Sequence, residues 1–132
     1  MSAVVADTHV LLWMLRGSLR ERSGRAADAV ESALAAHALH VSVGSFLDLR
    51  YLVDSGRLQA TVLDHVRSVV DGDAFTLVPL DLPILDAMAT VPRDDVPDPF
   101  DRIIAATALR LDLPLVTADE YIRGAIGGRA IW

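Results

Sequence analysis

Apolar and polar positions along the chain follow two periods, and the two periods alternate. Short apolar runs rich in β-branched residues predict buried strands at residues 3–6, 40–43, 75–79 and 114–117. The segments between them carry apolar residues three or four positions apart, as at Ala27, Val30 and Leu34, which predicts amphipathic helices. The predicted helices cover residues 8–15, 20–37, 46–53, 60–71, 83–90 and 99–111, with a short one ending near residue 124.

Strands that alternate with helices predict an α/β fold, with a parallel sheet of about five short strands and helices on both faces. The 132 residues are enough for one domain core and too few for two. No repeat, low-complexity tract or linker divides the chain. We therefore expect one domain that spans residues 1–132.

Acidic residues stand where the predicted strands end. Asp7 directly follows the first strand, and Asp119 follows the strand "PLVT". Asp48 lies in the helix after the second strand, and Asp101 lies at the start of the last long helix. Ligands of such sheets bind beyond the carboxyl ends of the strands. Four separate segments are thus predicted to bring a carboxylate to the same edge of one sheet.

Helix capping is the simpler interpretation for three of these segments. "SFLD" and "TADE" fit the Ser/Thr-x-x-acid capping box, with Ser45 and Thr117 as the caps. In "DPFD", Asp98 suits an N-cap, Pro99 the first helical position and Asp101 the third. A cap needs no further function.

Asp7 has no such simple explanation. It lies in an apolar stretch with no arginine nearby in the sequence, where an unpaired charge costs several kcal/mol. Four carboxylates at one edge would also repel one another unless a cation neutralised them. The convergence therefore favours a metal site over a set of separate helix caps.

Composition excludes several classes of chemistry. All 12 basic residues are arginine, so P-loop and Schiff-base mechanisms, which need lysine, are excluded. The absence of cysteine excludes disulfides and thiolate chemistry and fits a cytoplasmic protein. A net charge of -6 argues against non-specific coating of nucleic acid. It is compatible with an RNA-cutting enzyme whose carboxylates are offset by metal.

The hydrophobic fraction is 52%, which is high for so short a chain and predicts that some apolar surface meets another chain. No apolar run is long enough to span a membrane, and Asp7 interrupts the N-terminal run before a signal-peptide core could form.

Four arginines within ten residues form a candidate surface for an RNA backbone or a protein partner, and a solvated face is the open alternative. They are Arg16, Arg20, Arg22 and Arg25. Arg102 is expected to pair with Asp98 rather than with phosphate. His9 is expected to point away from the acids, and Trp13 and Trp132 to serve packing rather than base stacking.

Five segments resemble a known family in order along the chain: "VVADTHVLLW", "VSVGSFLDLRYLVDSGRL", "DPFDRIIAATAL", "LPLVTADEYI" and the terminal "AIW". Together they are similar to the PIN domain, in particular to the VapC-type toxins of bacterial toxin–antitoxin pairs. The resemblance implies an endoribonuclease that depends on Mg²⁺ or Mn²⁺ and hydrolyses RNA phosphodiester bonds with a metal-activated water. It also implies inhibition by a small, VapB-like antitoxin, and the apolar excess predicts a homodimer.

The family's acids carry over by position. The resemblance assigns metal binding to Asp7, Asp101 and Asp119, with Thr117 as the neighbouring hydroxyl of the catalytic set. The second acid of the family is usually glutamate, and that position is Asp48 here. Because aspartate is one methylene shorter, we expect Asp48 to reach the metal through water. The residues expected to support these groups are Ser45, Asp98 and Arg102.

A second function stays open from the sequence. The departure at Asp48 is compatible with a catalytically weak or inactive PIN-fold module that acts by binding protein or RNA. Two phosphoryl-transfer folds share an aspartate after the first strand but fit poorly. A receiver domain needs a lysine, and a haloacid-type phosphatase needs a second aspartate where His9 stands.

Overall fold

The computed structural model describes residues 2–132, and these residues form five strands and eight α-helices. The strands are β1 (Val4–Ala6), β2 (Leu39–Ser42), β3 (Phe75–Val78), β4 (Leu115–Val116) and β5 (Ala130–Ile131). The helices are α1 (Thr8–Leu15), α2 (Leu19–Arg22), α3 (Gly24–Ala35), α4 (Val43–Asp54), α5 (Ala60–Val70), α6 (Leu82–Ala87), α7 (Pro99–Leu111) and α8 (Glu120–Ile126).

All five strands are parallel and form one sheet in the order β3-β2-β1-β4-β5. The central strand β1 pairs with β2, where Val5 lies opposite His40, and with β4, where Val5 lies opposite Leu115. The predicted parallel α/β fold is confirmed. Because β1 is central, the residue that follows it, Asp7, lies at the middle of the sheet's carboxyl edge.

Alternation along β1 shows that both faces of the sheet are covered. Val4 and Ala6 belong to one buried apolar cluster, to which α1, α3 and α5 contribute. Val5 belongs to a second cluster, with Ile104 of α7 and Ile122 of α8. Successive side chains of a strand point to opposite faces, so the two clusters are the two layers that the sequence predicted.

Two of the predicted helices are divided or shortened in the structure. The predicted helix 20–37 divides at Ser23, whose extended backbone (φ -156°) ends α2 and whose hydroxyl caps α3 by accepting from the Ala26 amide at 3.1 Å. The predicted helix 83–90 ends as an α-helix at Ala87 and continues as a 3₁₀ turn, Met88–Thr90. The predicted helix 99–111 is confirmed.

The start of α4 brings that helix close to α7. Ser42 caps α4 by accepting from the Gly44 amide at 3.0 Å, and its hydroxyl also accepts from Thr107 of α7 at 3.2 Å. Gly44 permits this approach, because a Cβ there would lie 3.0 Å from Cγ2 of Ile103. The contact joins the start of α4 to the middle of α7, and each of these helices carries one of the predicted site acids. Across residues 2–132, no helix is long and apolar enough to cross a membrane.

Candidate active site

Asp7 is the most buried of the predicted site acids, with 4% of its surface exposed. It ends the central strand and caps α1, where its Oδ1 accepts from the Thr8 amide at 2.7 Å. Its Oδ2 accepts from the Thr117 hydroxyl at 2.7 Å. Burial raises the pKa of Asp7, and the two hydrogen bonds oppose that rise because they favour the ionised carboxylate.

Thr117 joins the ends of β1 and β4. Its hydroxyl donates to Asp7 and accepts from the Asp119 amide at 3.0 Å. The prediction that Thr117 caps the last helix is wrong: Asp119 is the N-cap of α8 and accepts from the Ile122 amide at 2.9 Å. Thr117 therefore positions two acids instead of starting a helix.

The "DPFD" segment caps α7 as the sequence predicted. Asp98 accepts from the amides of Phe100 at 2.8 Å and Asp101 at 3.1 Å, and Pro99 is the first residue of the helix. Asp101 is thereby fixed in the first turn of α7, half-buried.

Crowding of negative charge is greatest at Asp101. Burial raises the pKa of Asp101 to about 8, and repulsion from Asp7, Asp98, Asp119 and Asp48 adds to the rise. The five carboxylates thus lie near enough to interact. The ionisation of Asp101 at neutral pH therefore depends on a cation nearby.

Asp48 is not part of a helix cap. Because Ser42 caps α4, Ser45 lies in its first turn and Asp48 in its second, so the predicted capping box is wrong. Burial and the charge of Asp98 raise the pKa of Asp48, and the nearby Thr8 hydroxyl opposes the rise.

Two buried hydroxyls at the site have no hydrogen-bond partner of normal geometry, those of Thr8 and Ser45. Buried polar groups are nearly always satisfied, so orphans beside an acid cluster are typical of a place where water or a ligand binds. Thr8 follows Asp7, and Ser45 lies one helical turn before Asp48.

The donor set fits a hard divalent cation in chemistry. Mg²⁺ and Mn²⁺ take carboxylate, hydroxyl and water oxygens. The acids at this edge repel one another, and a divalent cation would neutralise that repulsion. Within residues 2–132, however, no three acidic or histidine side chains are arranged closely enough to hold an ion as they stand. Ion binding would therefore have to draw the carboxylates together or use bridging waters.

A cleft of about 270 Å³ opens beside the acids, lined by Asp7, His9, Trp13, Ala118 and Asp119. The prediction for His9 is wrong, because its exposed imidazole faces this cleft and its charge lowers the pKa of Asp7. Trp13 packs against Trp132, with ring centroids 5.5 Å apart, yet it also forms part of the cleft wall.

The four clustered arginines have different surroundings. Arg20 pairs with Asp28 and Glu31, each at 2.9 Å. Arg16 caps the end of α1 beside α5, and Arg25 is exposed on α3.

Arg22 differs from the other three, since its guanidinium carbon lies 4.2 Å from the centre of the Trp13 ring. Arg102 also departs from its prediction. It donates to the carbonyls of Val91 and Met88, each at 2.8 Å, and so holds the 3₁₀ turn before α7 rather than pairing with Asp98.

Three residues at the site were missed by sequence reasoning: Thr8, His9 and Trp13. Their positions on α1 carried a usable signal. A helix that starts at the carboxyl end of the central strand presents its first two turns to the ligand edge. The apolar residues around them in the sequence instead predicted burial in the core.

The structure is thus an α/β domain with a parallel sheet, helices on both faces and acids gathered at the carboxyl edge of the sheet. The profile of the PIN domain matches residues 4–125. The chain therefore belongs to the PIN domain family. A search of curated proteins finds no match.

Among solved structures, the fold is similar to one described as a toxin-antitoxin complex from Klebsiella pneumoniae. The TM-score is 0.62 and the sequence identity 19%, over 98% of this chain and 97% of that chain. At this identity, the likeness establishes a shared fold.

Replacing Thr117 with valine is expected to destabilise the protein by about 2 kcal/mol, because it removes a hydrogen bond to a buried carboxylate and leaves the Asp119 amide unpaired. Thr117→Ser keeps the hydroxyl and should lose only about 1 kcal/mol for the buried methyl group. Urea unfolding of the two variants at pH 7 measures the difference. Equal midpoints would contradict the role given to this hydroxyl.

Proposed function

We propose that the chain is a metal-dependent endoribonuclease that acts as the toxin of a type II toxin–antitoxin pair in the cytoplasm. The observation that carries the proposal is the gathering of five aspartates at the end of the central strand, where burial, together with their mutual repulsion, raises the pKa of Asp101 to about 8. Such perturbed acids cluster at functional sites. Membership of the PIN family supports a nuclease, and the toxin-antitoxin complex among the similar structures supports the biological role.

Asp7, Asp101 and Asp119 are the residues that would hold Mg²⁺ or Mn²⁺. When bound, the ion supplies Lewis-acid polarisation of a phosphodiester and a more acidic water. Asp7 is held in place by Thr8 and Thr117, so its carboxylate is oriented before any ligand arrives. Asp119 is oriented in the same way by the amide of Ile122.

Asp48 is assigned the second task, that of accepting a proton from the attacking water. It is half-buried and its raised pKa makes it a better proton acceptor than a free aspartate. The orphan hydroxyls of Thr8 and Ser45 offer hydrogen bonds to waters in the same region. No side-chain nucleophile is needed for this chemistry.

The decisive test is incubation of the purified chain with total RNA and 5 mM Mg²⁺ or Mn²⁺ (on the order of the concentration at which such weakly held ions bind), with and without EDTA. We expect discrete fragments on a denaturing gel that EDTA abolishes, and no fragments with Asp7→Asn. Intact RNA in every lane would favour the alternative function, a PIN-fold module without activity that binds protein or RNA.

Partner binding is a separate part of the proposal. Four of the exposed large apolar side chains fall within residues 77–85: Leu77, Leu80, Leu82 and Leu85. This apolar segment runs from the end of the edge strand β3 into the helix α6. Edge strands with exposed apolar side chains are typical sites of association. We propose that the segment joins two copies of the chain into a homodimer.

Light scattering is expected to give a dimer for the native chain and a monomer for Leu82→Glu, since Leu82 is 72% exposed and its replacement disturbs no core. Tyr121→Glu, at an exposed residue of α8, is the matched control and should stay dimeric. Co-expression with the small protein encoded beside the chain should give a stable complex without nuclease activity. A native monomer would refute the dimer, and active nuclease in that complex would refute the antitoxin.

A further inference from the structure

Arg22 stacks on an aromatic residue of the acid-lined cleft and has no acidic partner among the residues that the structure describes. Its guanidinium lies over the face of Trp13, 4.2 Å from the ring centre, and Trp13 is itself part of the cleft wall together with Asp7 and Asp119. Within residues 2–132, Arg22 makes no ion pair, whereas its neighbour Arg20 is engaged by two carboxylates.

The Trp13 ring holds Arg22 without neutralising it. Stacking on an aromatic face restricts the guanidinium, yet its in-plane N–H groups remain free to bind a phosphate in a two-pronged way. Packing against Trp132 and contact with His9, whose ring centroid is 5.8 Å away, hold Trp13 in turn. The result is a positioned, unpaired cation next to a strongly negative site.

A polyanion that approaches this site needs such a cation. The chain carries a net charge of -6 and its cleft is lined by carboxylates, so an RNA strand is repelled everywhere except where a bound ion or an arginine offsets the charge. Arg22 is not part of the cleft wall but lies against Trp13, which is. Because the acids line the cleft and Arg22 does not, Arg22 is suited to a phosphate that flanks the one that is cut.

We propose that Arg22, held on Trp13, is a binding subsite for a phosphate that flanks the cleavage site in a single-stranded RNA substrate. Arg22 is the contact residue and Trp13 its positioning residue. The inference rests on the proposed nuclease function and names the part of the substrate that this surface takes. A carboxylate of a protein partner could also meet an arginine. The RNA is favoured because the stacked guanidinium shares its supporting side chain with the cleft of the acids.

Binding is measured first, without cleavage. A fluorescein-labelled single-stranded RNA of mixed sequence is titrated with the full chain in EDTA at several salt concentrations. We expect Arg22→Gln to weaken binding about tenfold, the loss of one charge-assisted contact. The slope of affinity against salt should fall by about 0.7, the value for one phosphate contact on a single strand.

Arg110→Gln is the matched control, because it removes the same charge from an exposed arginine in the last turn of α7, nine residues along the helix from Asp101. It should bind RNA as the native chain does. Trp13→Leu should lose as much affinity as Arg22→Gln, and the double variant little more, whereas Trp13→Phe keeps an aromatic face and most of the affinity. Circular dichroism of each variant shows whether it folds, and Trp13→Phe decides the point should Trp13→Leu unfold.

Cleavage kinetics with Mg²⁺ then separate this inference from the nuclease proposal. We expect Arg22→Gln to raise KM about tenfold and to leave kcat within about twofold. RNA that is bound through Arg22 but never cut would refute the nuclease and keep the subsite. RNA that is cut with an unchanged KM in Arg22→Gln would refute the subsite and keep the nuclease. Failure of the native chain to bind RNA, or an Arg22→Gln defect confined to capture of the partner protein, would also overturn the subsite.

Discussion

Asp101→Asn is expected to lower the rate of RNA cleavage by about 10³-fold or more while the protein stays folded. The carboxylate lies at the point where the charges of Asp7, Asp98, Asp119 and Asp48 converge. An amide there leaves a bound ion short of one charged ligand, and the contribution of such an ion to the transition state is several kcal/mol. Single-turnover cleavage of a labelled RNA, at Mg²⁺ concentrations raised until the rate no longer changes, measures the loss.

The same change is expected to stabilise the metal-free protein. The pKa of Asp101 rises from its ordinary value of 3.8 to about 8 on folding. Between these values the folded state holds a proton that the unfolded state has lost, so this group's contribution to stability is full below about pH 4 and is lost as the pH rises to about 8. Because Asp101 is only half-buried, solvent screening reduces the effect to about 1–2 kcal/mol at pH 8.

Thermal unfolding of the metal-free protein at pH 5 and pH 8 tests the direction of this effect on stability. Asp101→Asn should melt about 3–8 °C higher than the native chain at pH 8 and nearly equally at pH 5. Mg²⁺ should raise the melting temperature of the native chain more at pH 8 than at pH 6, since binding must displace the proton. Asp64→Asn, an exposed acid on α5, serves as the control for loss of one negative charge. Full cleavage by Asp101→Asn would show that the site lies elsewhere.

The acids were predictable because their positions follow from topology alone. A parallel α/β sheet places the residue after each strand at one edge, and Asp7 and Asp119 needed no more than strand recognition. The positions of Asp98 and Asp101 were predictable from the local sequence, because an Asp-Pro pair is typical of an N-cap followed by the first residue of a helix. The charge coupling among these acids follows from the same placement, because four segments end at one edge.

The start of α4 was mispredicted because two serines compete for the same role. "SVGS" offers both Ser42 and Ser45 as caps, and local chemistry does not distinguish them. Pairing of β2 with β3 extends as far as Ser42, and Thr107 of α7 donates to the Ser42 hydroxyl. These tertiary contacts select the earlier serine, and a single sequence carries no record of them.

The contacts of Arg102, Arg22 and Trp13 were not predicted, for a similar reason. Arg102 binds carbonyls 11 and 14 residues away, through a turn whose shape the apolar pattern does not encode. Arg22 is the last residue of α2, where Ser23 interrupts the predicted long helix, and its side chain contacts Trp13 of α1. Contacts between side chains of different helices and strands depend on the paths of the loops, which the periodicity of apolar residues does not specify.

Asp48→Ala is expected to lower the cleavage rate by about 10²–10⁴-fold, the typical worth of a positioned acid or base. The rival explanation of Asp48 as part of a capping box does not apply, because Ser42 caps α4 and Asp48 lies a full turn too late to bond the helix start. The rate loss should therefore come without a loss of stability. Burial and Asp98 raise the pKa of Asp48, so alanine should leave the metal-free protein as stable as before or more so at pH 8.

Asp48→Glu distinguishes a role through water from direct binding to the ion. Glutamate is one methylene longer than aspartate and is the usual residue at this position in the family that the chain resembles. We therefore expect the cleavage rate of Asp48→Glu to equal or exceed that of the native chain. Asp48→Asn keeps the shape without the charge and should be as impaired as alanine, since it cannot accept a proton. Rate and melting temperature are measured on all three variants in the same buffer. An alanine variant that melts at a lower temperature than the native chain, yet cuts RNA at the native rate, would show that Asp48 has a structural role. The only role of its half-buried carboxylate would then be its interaction with the nearby Thr8 hydroxyl.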